Sequence, residues 1–293
     1  MLKIIVEQRI GNQLFIIFSG ISCAIDNSIN YAFCSGIKNT VFGNCKTYWD
    51  DFFIELKKDV IIYKHSELDY LKNTAQIHNE LEFKYNDISL KNYDLNKDIF
   101  FNGYYQSYRY FDNNYDKIER ILNINEKRNK IKEELLYMFN KKTICIHFRI
   151  GDYINIQHLH PVKSLIYYLN CLIELDNYLK KFNDTIENCN ILFFCHSGDN
   201  IIINKYINLL NKKFNNKLTF IKVNDEIVEW EQILLMSCCD YFIIANSTFS
   251  WFGAYLCNND NKIVYYPKIW FGPSYKQNDT SELCPKNWIA IDG

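Results

Sequence analysis

Cys145-Ile146-His147-Phe148-Arg149-Ile150-Gly151-Asp152-Tyr153 decides how this chain is read, because an apolar, strand-like run ends there in a packed set of charged and hydrogen-bonding groups. The residues around its start, Lys142-Thr143-Ile144-Cys145-Ile146, form a short β-branched run bounded by polar side chains, which predicts a buried strand of an α/β sheet. Ligands of such sheets collect at the carboxyl ends of the strands. On an extended backbone His147 and Arg149 project to the same side, so an imidazole and a guanidinium converge on one ligand. The planar fork of Arg149 suits a pair of phosphate oxygens, to which it donates two parallel, charge-assisted hydrogen bonds. Gly151 lets the chain turn closely, and Asp152 is placed to orient the arginine or to act on a substrate hydroxyl. The same residues also fit a plainer arrangement, a surface ion pair of Arg149 with Asp152 beside a satisfied histidine.

Downstream, strands and helices alternate. The pattern predicts helix over 162–179, strand over 190–195, helix over 201–214, strand over 218–223, helix over 227–238, strand over 241–245, helix over 249–257 and strand over 263–266. Such alternation is the mark of a parallel, doubly wound sheet. Upstream, Leu2 to Glu7 reads as a strand, Gly11-Asn12 as a turn, and Gln13 to Ala24 as an apolar helix. Further strands are expected at Tyr31–Cys34, Val60–Tyr63 and Ile99–Asn102. Ile118, Ile121, Leu122, Ile131, Leu135, Leu136 and Phe139 recur at helical spacing across 115–140. The junction between an amino-terminal domain, 1–140, and a carboxyl-terminal domain, 141–293, is placed at the end of that stretch.

A second segment, Ile243-Ile244-Ala245-Asn246-Ser247-Thr248-Phe249-Ser250-Trp251-Phe252-Gly253-Ala254, runs a buried strand into small polar residues that open a helix. Free backbone N–H groups and hydroxyls at a helix start form a cradle for phosphate. An ordinary helix cap explains Asn246, Ser247 or Thr248 as well. The pairing with Arg149, two strand ends of one sheet, favours the cradle. Gly11-Asn12-Gln13 offers a third and weaker signal, since Gly11 either admits a ligand to the backbone or simply makes a turn.

The composition narrows the function classes. With 48% hydrophobic and 16% aromatic residues among 293, the chain can bury a substantial core. A formal net charge of -1 with dispersed Lys and Arg lacks the footprint of a nucleic-acid binder and the polybasic patch of a membrane-surface binder. The 11 cysteines are odd in number, form no Cys-x-x-Cys pair and sit in apolar runs, as buried thiols in a reducing compartment do. The amino terminus lacks a signal h-region, and no apolar run approaches the ~20 residues of a membrane span. A soluble, cytoplasmic protein is expected. No phosphate-binding loop of the Gly-x-x-x-x-Gly-Lys-Ser/Thr type, no Gly-x-Gly-x-x-Gly and no Gly-x-Ser-x-Gly is present. The histidines are not at metal-ligand spacing. An Asp-x-Asp pair, which would bridge a divalent ion to a diphosphate, is also missing.

Taken together these segments resemble glycosyltransferase family 11, the α-1,2-fucosyltransferases. The family's His-x-Arg-Arg-Gly-Asp-Tyr motif matches His147 to Tyr153 with Ile150 in place of the second Arg. Its Gly-Asn-Gln-Met/Leu-Phe element matches Gly11 to Phe15, with Gln8 where a Gly is usual. Gly103-Tyr104-Tyr105-Gln106-Ser107, Glu231 to Met236, Ala245 to Gly253, Pro267 to Trp270 and Pro285 to Trp288 match further blocks in the family's order. The resemblance implies an α/β fold of GT-B architecture, two Rossmann-like domains facing a central cleft, with an acceptor-side amino half and a donor-binding carboxyl half.

It further implies an inverting, metal-independent transferase with no cofactor. That enzyme would move L-fucose from GDP-β-L-fucose to the 2-hydroxyl of a galactose-like unit in a glycan. Arg149 is then expected to hold the donor β-phosphate and His147 to lie near the nucleoside. Asn246, Ser247, Thr248, Phe249 and Ser250 supply the second phosphate wall, and Gly11, Asn12 and Gln13 touch substrate. Asp199, in Ser197-Gly198-Asp199, reads guanine or ribose. Asp152 is the first candidate for the base, followed by Glu231 and Glu7. Neither nucleic acid nor an integral membrane segment is expected, with peripheral membrane contact left open. Two alternatives stand beside this reading: transfer of another GDP-linked sugar, and a noncatalytic GDP-sugar or glycan binder of the same fold.

Overall fold

The computed structural model describes residues 1–36 and 46–293. The chain divides into two units, one of Met1–Asn125 with Asn278–Pro285, the other of Glu126–Gln277 with Lys286–Gly293.

The first unit is built on β1 (Leu2–Val6), α1 (Ile10–Asp26), β2 (Tyr31–Gly36), β3 (Val60–Tyr63), α2 (His65–Thr74), β4 (Gln76–Asn79), β5 (Ile99–Asn102) and α3 (Tyr115–Ile121). The five strands form one parallel sheet in the order β3-β2-β1-β5-β4. Helix α1 is apolar on nearly every face and accordingly buried along most of its length. Its Phe18 meets Phe111 edge-on at 5.4 Å between ring centroids.

The helix begins at Ile10, earlier than the sequence suggests, so Gly11 lies inside the first turn and the sharp turn falls on Gln8, at φ 73°. Gln8 thus holds a left-handed conformation at the position where the family uses glycine, which costs a residue with a Cβ about 1 kcal/mol. Gln13 offsets part of this by donating from Nε2 to the Gln8 carbonyl at 2.7 Å. Gln8→Gly is therefore expected to raise Tm by about 2 °C in calorimetry; an unchanged or lowered Tm would show that the turn carries no strain.

The segment 278–285 joins this unit through several bonds. The Asp279 N–H donates to the Phe83 carbonyl at 2.9 Å, the Ser107 hydroxyl donates to the Glu282 carbonyl, and Arg109 pairs with the Glu282 carboxylate.

The second unit contains α4 (Ile124–Glu134), β6 (Thr143–His147), α5 (Leu165–Lys180), β7 (Asn190–Phe194), α6 (Asn200–Lys213), β8 (Thr219–Lys222), α7 (Glu229–Met236), β9 (Tyr241–Ile243), α8 (Thr248–Tyr255), β10 (Ile263–Pro267) and β11 (Ile289–Ile291). All six strands are parallel, in the order β11-β10-β9-β6-β7-β8. From β6 the chain winds outward through β7 and β8, then returns to place β9 on the other flank of β6. The direction of winding reverses between β6 and β9, where doubly wound sheets bind ligands. Strands β6, β7 and β9 are buried throughout, as their unbroken apolar runs require. Ile144, Ile146, Leu172, Leu175, Ile191 and Phe193 share one core, each contributing about 1.5–3 kcal/mol.

Two expectations are corrected. The domain boundary expected at 140 falls at 125/126, because the segment that follows is bound to the second unit. Arg128 donates to the Leu256 carbonyl, and Asn190 donates to the Met138 carbonyl at 3.0 Å and to Asn140 Oδ1 at 2.8 Å. The helix expected across 115–140 is broken at Asn123, whose φ is 51°, and ends in a 3-10 turn at Leu136–Phe139. Elsewhere the limits shift by a few residues for identifiable reasons. Helix α5 starts after Ser164, not at Val162, because the Ser164 hydroxyl caps it by accepting from the Ile166 and Tyr167 N–H groups.

Candidate functional site

The two segments singled out in the sequence leave adjacent strands at the switch point of the second sheet. Ile146 of β6 is in register with Ile243 of β9, so the residues that follow each strand emerge side by side. The His147 and Phe249 rings lie 5.5 Å apart, and the Tyr153 hydroxyl donates to the Asn246 carbonyl at 3.2 Å. These contacts join the Arg149 loop to the start of α8.

Arg149 and Asp152 form an ion pair at 2.7 Å between Nη2 and Oδ1, as the plainer sequence reading held. The pairing leaves the Arg149 Nε buried without a partner, and the guanidinium lies over the Tyr153 ring, 5.0 Å from its centroid. Gly151, at φ 28°, turns the loop in the left-handed region, and its N–H donates to Asp199 Oδ2 at 2.9 Å. Asp199 is 7% exposed. This carboxylate is thus an anchor that fixes the turn carrying Arg149.

Ile150 occupies the slot of the family's second Arg, but it is 4% exposed and belongs to the core cluster with Phe148 and Tyr168. The Ile150 side chain thus fills core space beside Phe148.

On the other side, Ser247 is the cap residue of α8 but makes no side-chain bond to its helix. The N–H groups of the first turn have no intrahelical acceptor, and the helix dipole adds partial positive charge there. Asn246 is 1% exposed, and its Nδ2 donates to the Pro161 and Trp270 carbonyls at 3.1 and 3.0 Å. Its Oδ1 is left unpartnered. Ser250 is buried with its hydroxyl donating to the Ser247 carbonyl at 3.4 Å, which places it in the support of the turn.

Six buried side-chain N or O atoms of the described residues lack a hydrogen-bond partner. Three of them, His147 Nδ1, Arg149 Nε and Asn246 Oδ1, belong to the segments that leave β6 and β9, while a fourth, His160 Nδ1, lies in a ring stacked on Tyr153. An unsatisfied buried polar group costs about 1–3 kcal/mol, so such a concentration marks a place built to be completed by a ligand.

Burial, with the Arg149 charge adding to it, pushes the His147 imidazole down to about 3. The folded chain keeps it neutral through mild acid while the unfolded chain protonates it near 6.5. Its contribution to stability is therefore fully present above pH 6.5 and is lost toward pH 3, at about 1.4 kcal/mol per unit. Replacing His147 with Asn should flatten the fall of Tm between pH 7 and 5; an identical slope in both proteins would contradict this assignment.

The remaining candidates lie on other elements. Glu231 stands in the first turn of α7, half-buried, with no hydrogen bond or ion pair among the described residues. Because α7 leads from the carboxyl end of β8 back to the amino end of β9, its first turn lies at the same sheet edge as Arg149. Glu7, Gly11, Asn12 and Gln13 belong to the first unit. There Asn12 Oδ1 accepts from Gln106 Nε2 at 3.1 Å, and Gln13 Nε2 donates to the Gln8 and Lys46 carbonyls. These bonds show Gln13 stitching the turn before α1.

Sequence reasoning overlooked His160 and Lys163. His160 stacks on Tyr153, and the buried Lys163, held down to about 8 by desolvation, donates to the Ile269 carbonyl at 2.6 Å. The signal was present in His158-Leu159-His160-Pro161-Val162-Lys163, a polar run just before a helix. Among the described residues no group of three His, Cys, Asp or Glu side chains is placed to hold a metal ion. No described helix is long and apolar enough to cross a membrane. The ten described cysteines are free thiols, eight of them buried.

The model of glycosyl transferase family 11 matches residues 1–292. The chain belongs to glycosyltransferase family 11. An alpha-1,2-colitosyltransferase of Escherichia coli is 29% identical over 297 residues, 97% of this chain and 96% of that protein. The O-antigen biosynthesis glycosyltransferase WbnK of Escherichia coli is 29% identical over 202 residues, 64% of this chain and 59% of that protein. Among solved structures, the ADP-heptose lipopolysaccharide heptosyltransferase II of E. coli superposes with a TM-score of 0.50 at 7% identity, covering 99% of this chain and 89% of that one. The α/β class, with its two parallel Rossmann-like sheets, is thus that of the GT-B glycosyltransferases. This family 11 member is a glycosyltransferase.

Proposed function

We propose that this glycosyltransferase moves L-fucose from GDP-β-L-fucose to the 2-hydroxyl of a galactose-like unit, forming an α-1,2 linkage with inversion and without a metal ion. The observation that carries this reading is the meeting, at one switch point, of the Arg149 fork and the first turn of α8 beside three buried polar atoms that lack a partner among the described residues. Breaking the bond from fucose C1 to the diphosphate builds negative charge on GDP and oxocarbenium character on the sugar. Donors already aimed at the leaving phosphates stabilise that charge as it forms. The guanidinium and the helix amides share the charge neutralisation that a divalent ion performs in other sites. The acceptor oxygen attacks C1 from the face opposite the diphosphate, and its proton passes to a carboxylate. Asp152, with Oδ1 committed to Arg149, suits orienting the fork; Glu231, without a hydrogen bond or ion pair among the described residues, suits taking the proton.

Transfer of colitose, which is L-fucose without its 3-hydroxyl, is a second reading. It is favoured by the 29% identity to the colitosyltransferase along 97% of this chain. A site that hydrogen-bonds the 3-hydroxyl would reject the deoxy sugar by up to ~10⁴-fold, so one paired assay decides. The chain is incubated with GDP-fucose or GDP-colitose and a galactoside, released GDP is measured, and the product linkage is read by NMR. The proposal expects an α-1,2 product from GDP-fucose. Preference for GDP-colitose would establish the second reading, and tight GDP binding without turnover on any acceptor would remove the catalytic one.

A further inference from the structure

Arg149 lies on a platform that is itself braced. The Tyr153 ring beneath the guanidinium stacks on His160 at 5.0 Å between centroids, with 22° between the planes. His160 in turn meets Phe271 at 5.6 Å and Tyr275 at 5.9 Å, so three aromatic rings surround the imidazole. Backbone closes the box from outside. The Gly272 N–H donates to the Leu159 carbonyl at 2.8 Å and the Ser274 N–H to the His158 carbonyl at 2.9 Å. A Cβ at Gly272 would come within 2.5 Å of the Gln157 and His158 carbonyl oxygens, so the two loops approach this closely because that residue has none. Burial holds the imidazole below its ordinary range despite the nearby Asp152, which leaves it uncharged beside Arg149 at neutral pH.

We propose that His160 is a positioning residue for the transfer reaction: held flat in this box, it fixes the Tyr153 ring, and through that ring the angle at which the Arg149 fork meets the donor phosphates. The inference rests on the reading of Arg149 as the pyrophosphate ligand. An arginine on a free stem samples many rotamers, and a fixed aromatic face under the guanidinium selects among them. Misplacing such a group by an ångström is enough to slow chemistry ~10²-fold.

Two variants separate stacking from mere filling of space. His160→Leu occupies the volume without a flat ring, and His160→Phe keeps the ring without nitrogens. With melting temperatures matched to wild type, the leucine variant is expected to lose about 10- to 100-fold in kcat with little change in donor KM. GDP binding by calorimetry should weaken severalfold in that variant. The phenylalanine variant should recover both to near wild-type values. Wild-type kcat and GDP affinity in the leucine variant would overturn the proposal, as would a phenylalanine variant as impaired as leucine. If the wild-type chain bound GDP but transferred no sugar, the functional reading would fail while calorimetry still decided the stack. Equal GDP affinity in all three proteins would then overturn it, and no GDP binding by wild type would overturn both.

Discussion

Arg149→Ala is expected to lower kcat/KM for sugar transfer by about 10³-fold while the protein remains folded. On the proposed reading the replaced group donates to the leaving pyrophosphate, and single preorganised donors of this kind are commonly worth ~10²- to 10³-fold. The side chain is partly exposed and its ion partner Asp152 more so, so loss of the pair costs the fold no more than about 1 kcal/mol. Arg149→Lys keeps the charge and loses the fork, and should recover only part of the rate because a point charge cannot bind two oxygens in parallel. The measurement is initial rate against donor concentration with a melting curve for each variant. Near-normal transfer by a folded Arg149→Ala protein would remove Arg149 from the mechanism.

The second large effect is expected from Thr248→Pro. Proline is tolerated in the first turn of a helix, where its missing N–H has no intrahelical acceptor. The preceding Ser247 already has the extended conformation that proline demands of its neighbour, at φ -141° and ψ 128°. The substitution therefore deletes one amide donor from the α8 cradle and leaves the helix in place. Transfer should fall about 10²-fold, and Thr248→Ala, which removes only the hydroxyl, should fall far less. Equal rates for the proline and alanine variants would mean that the backbone at this turn binds nothing.

Much of this architecture was legible in the residues. Strands β6 and β7 are continuous apolar runs, and such runs are buried in parallel sheets whatever follows them. The two proposed phosphate walls were visible because each is a buried strand ending in groups suited to an anion. Their adjacency was not. Ile146 and Ile243 are far apart in sequence, and only the order of the strands sets their loops side by side. Strands β4 and β11 were overlooked because Gln-Ile-His-Asn and Ile-Ala-Ile are too short or too polar to declare themselves, and both lie at sheet edges.

The structure adds to the sequence reading at side chains whose partners are distant in the chain. Asp199, expected to read guanine or ribose, also accepts from the Gly151 amide across 48 residues of chain. Gln13, expected to touch substrate, donates from its amide nitrogen to the Gln8 and Lys46 carbonyls. Ile150 stood in the sequence as a lost arginine; in the structure it packs into the core cluster. His160 escaped notice because stacking leaves no periodic trace in a sequence.

A crystal structure of the chain with GDP tests the central claim most directly. The β-phosphate oxygens should lie roughly 3 Å from the Arg149 guanidinium on one side and from first-turn amides of α8 on the other. A nucleotide bound away from the β6–β9 edge, or held there by only one of these two groups, would contradict the account.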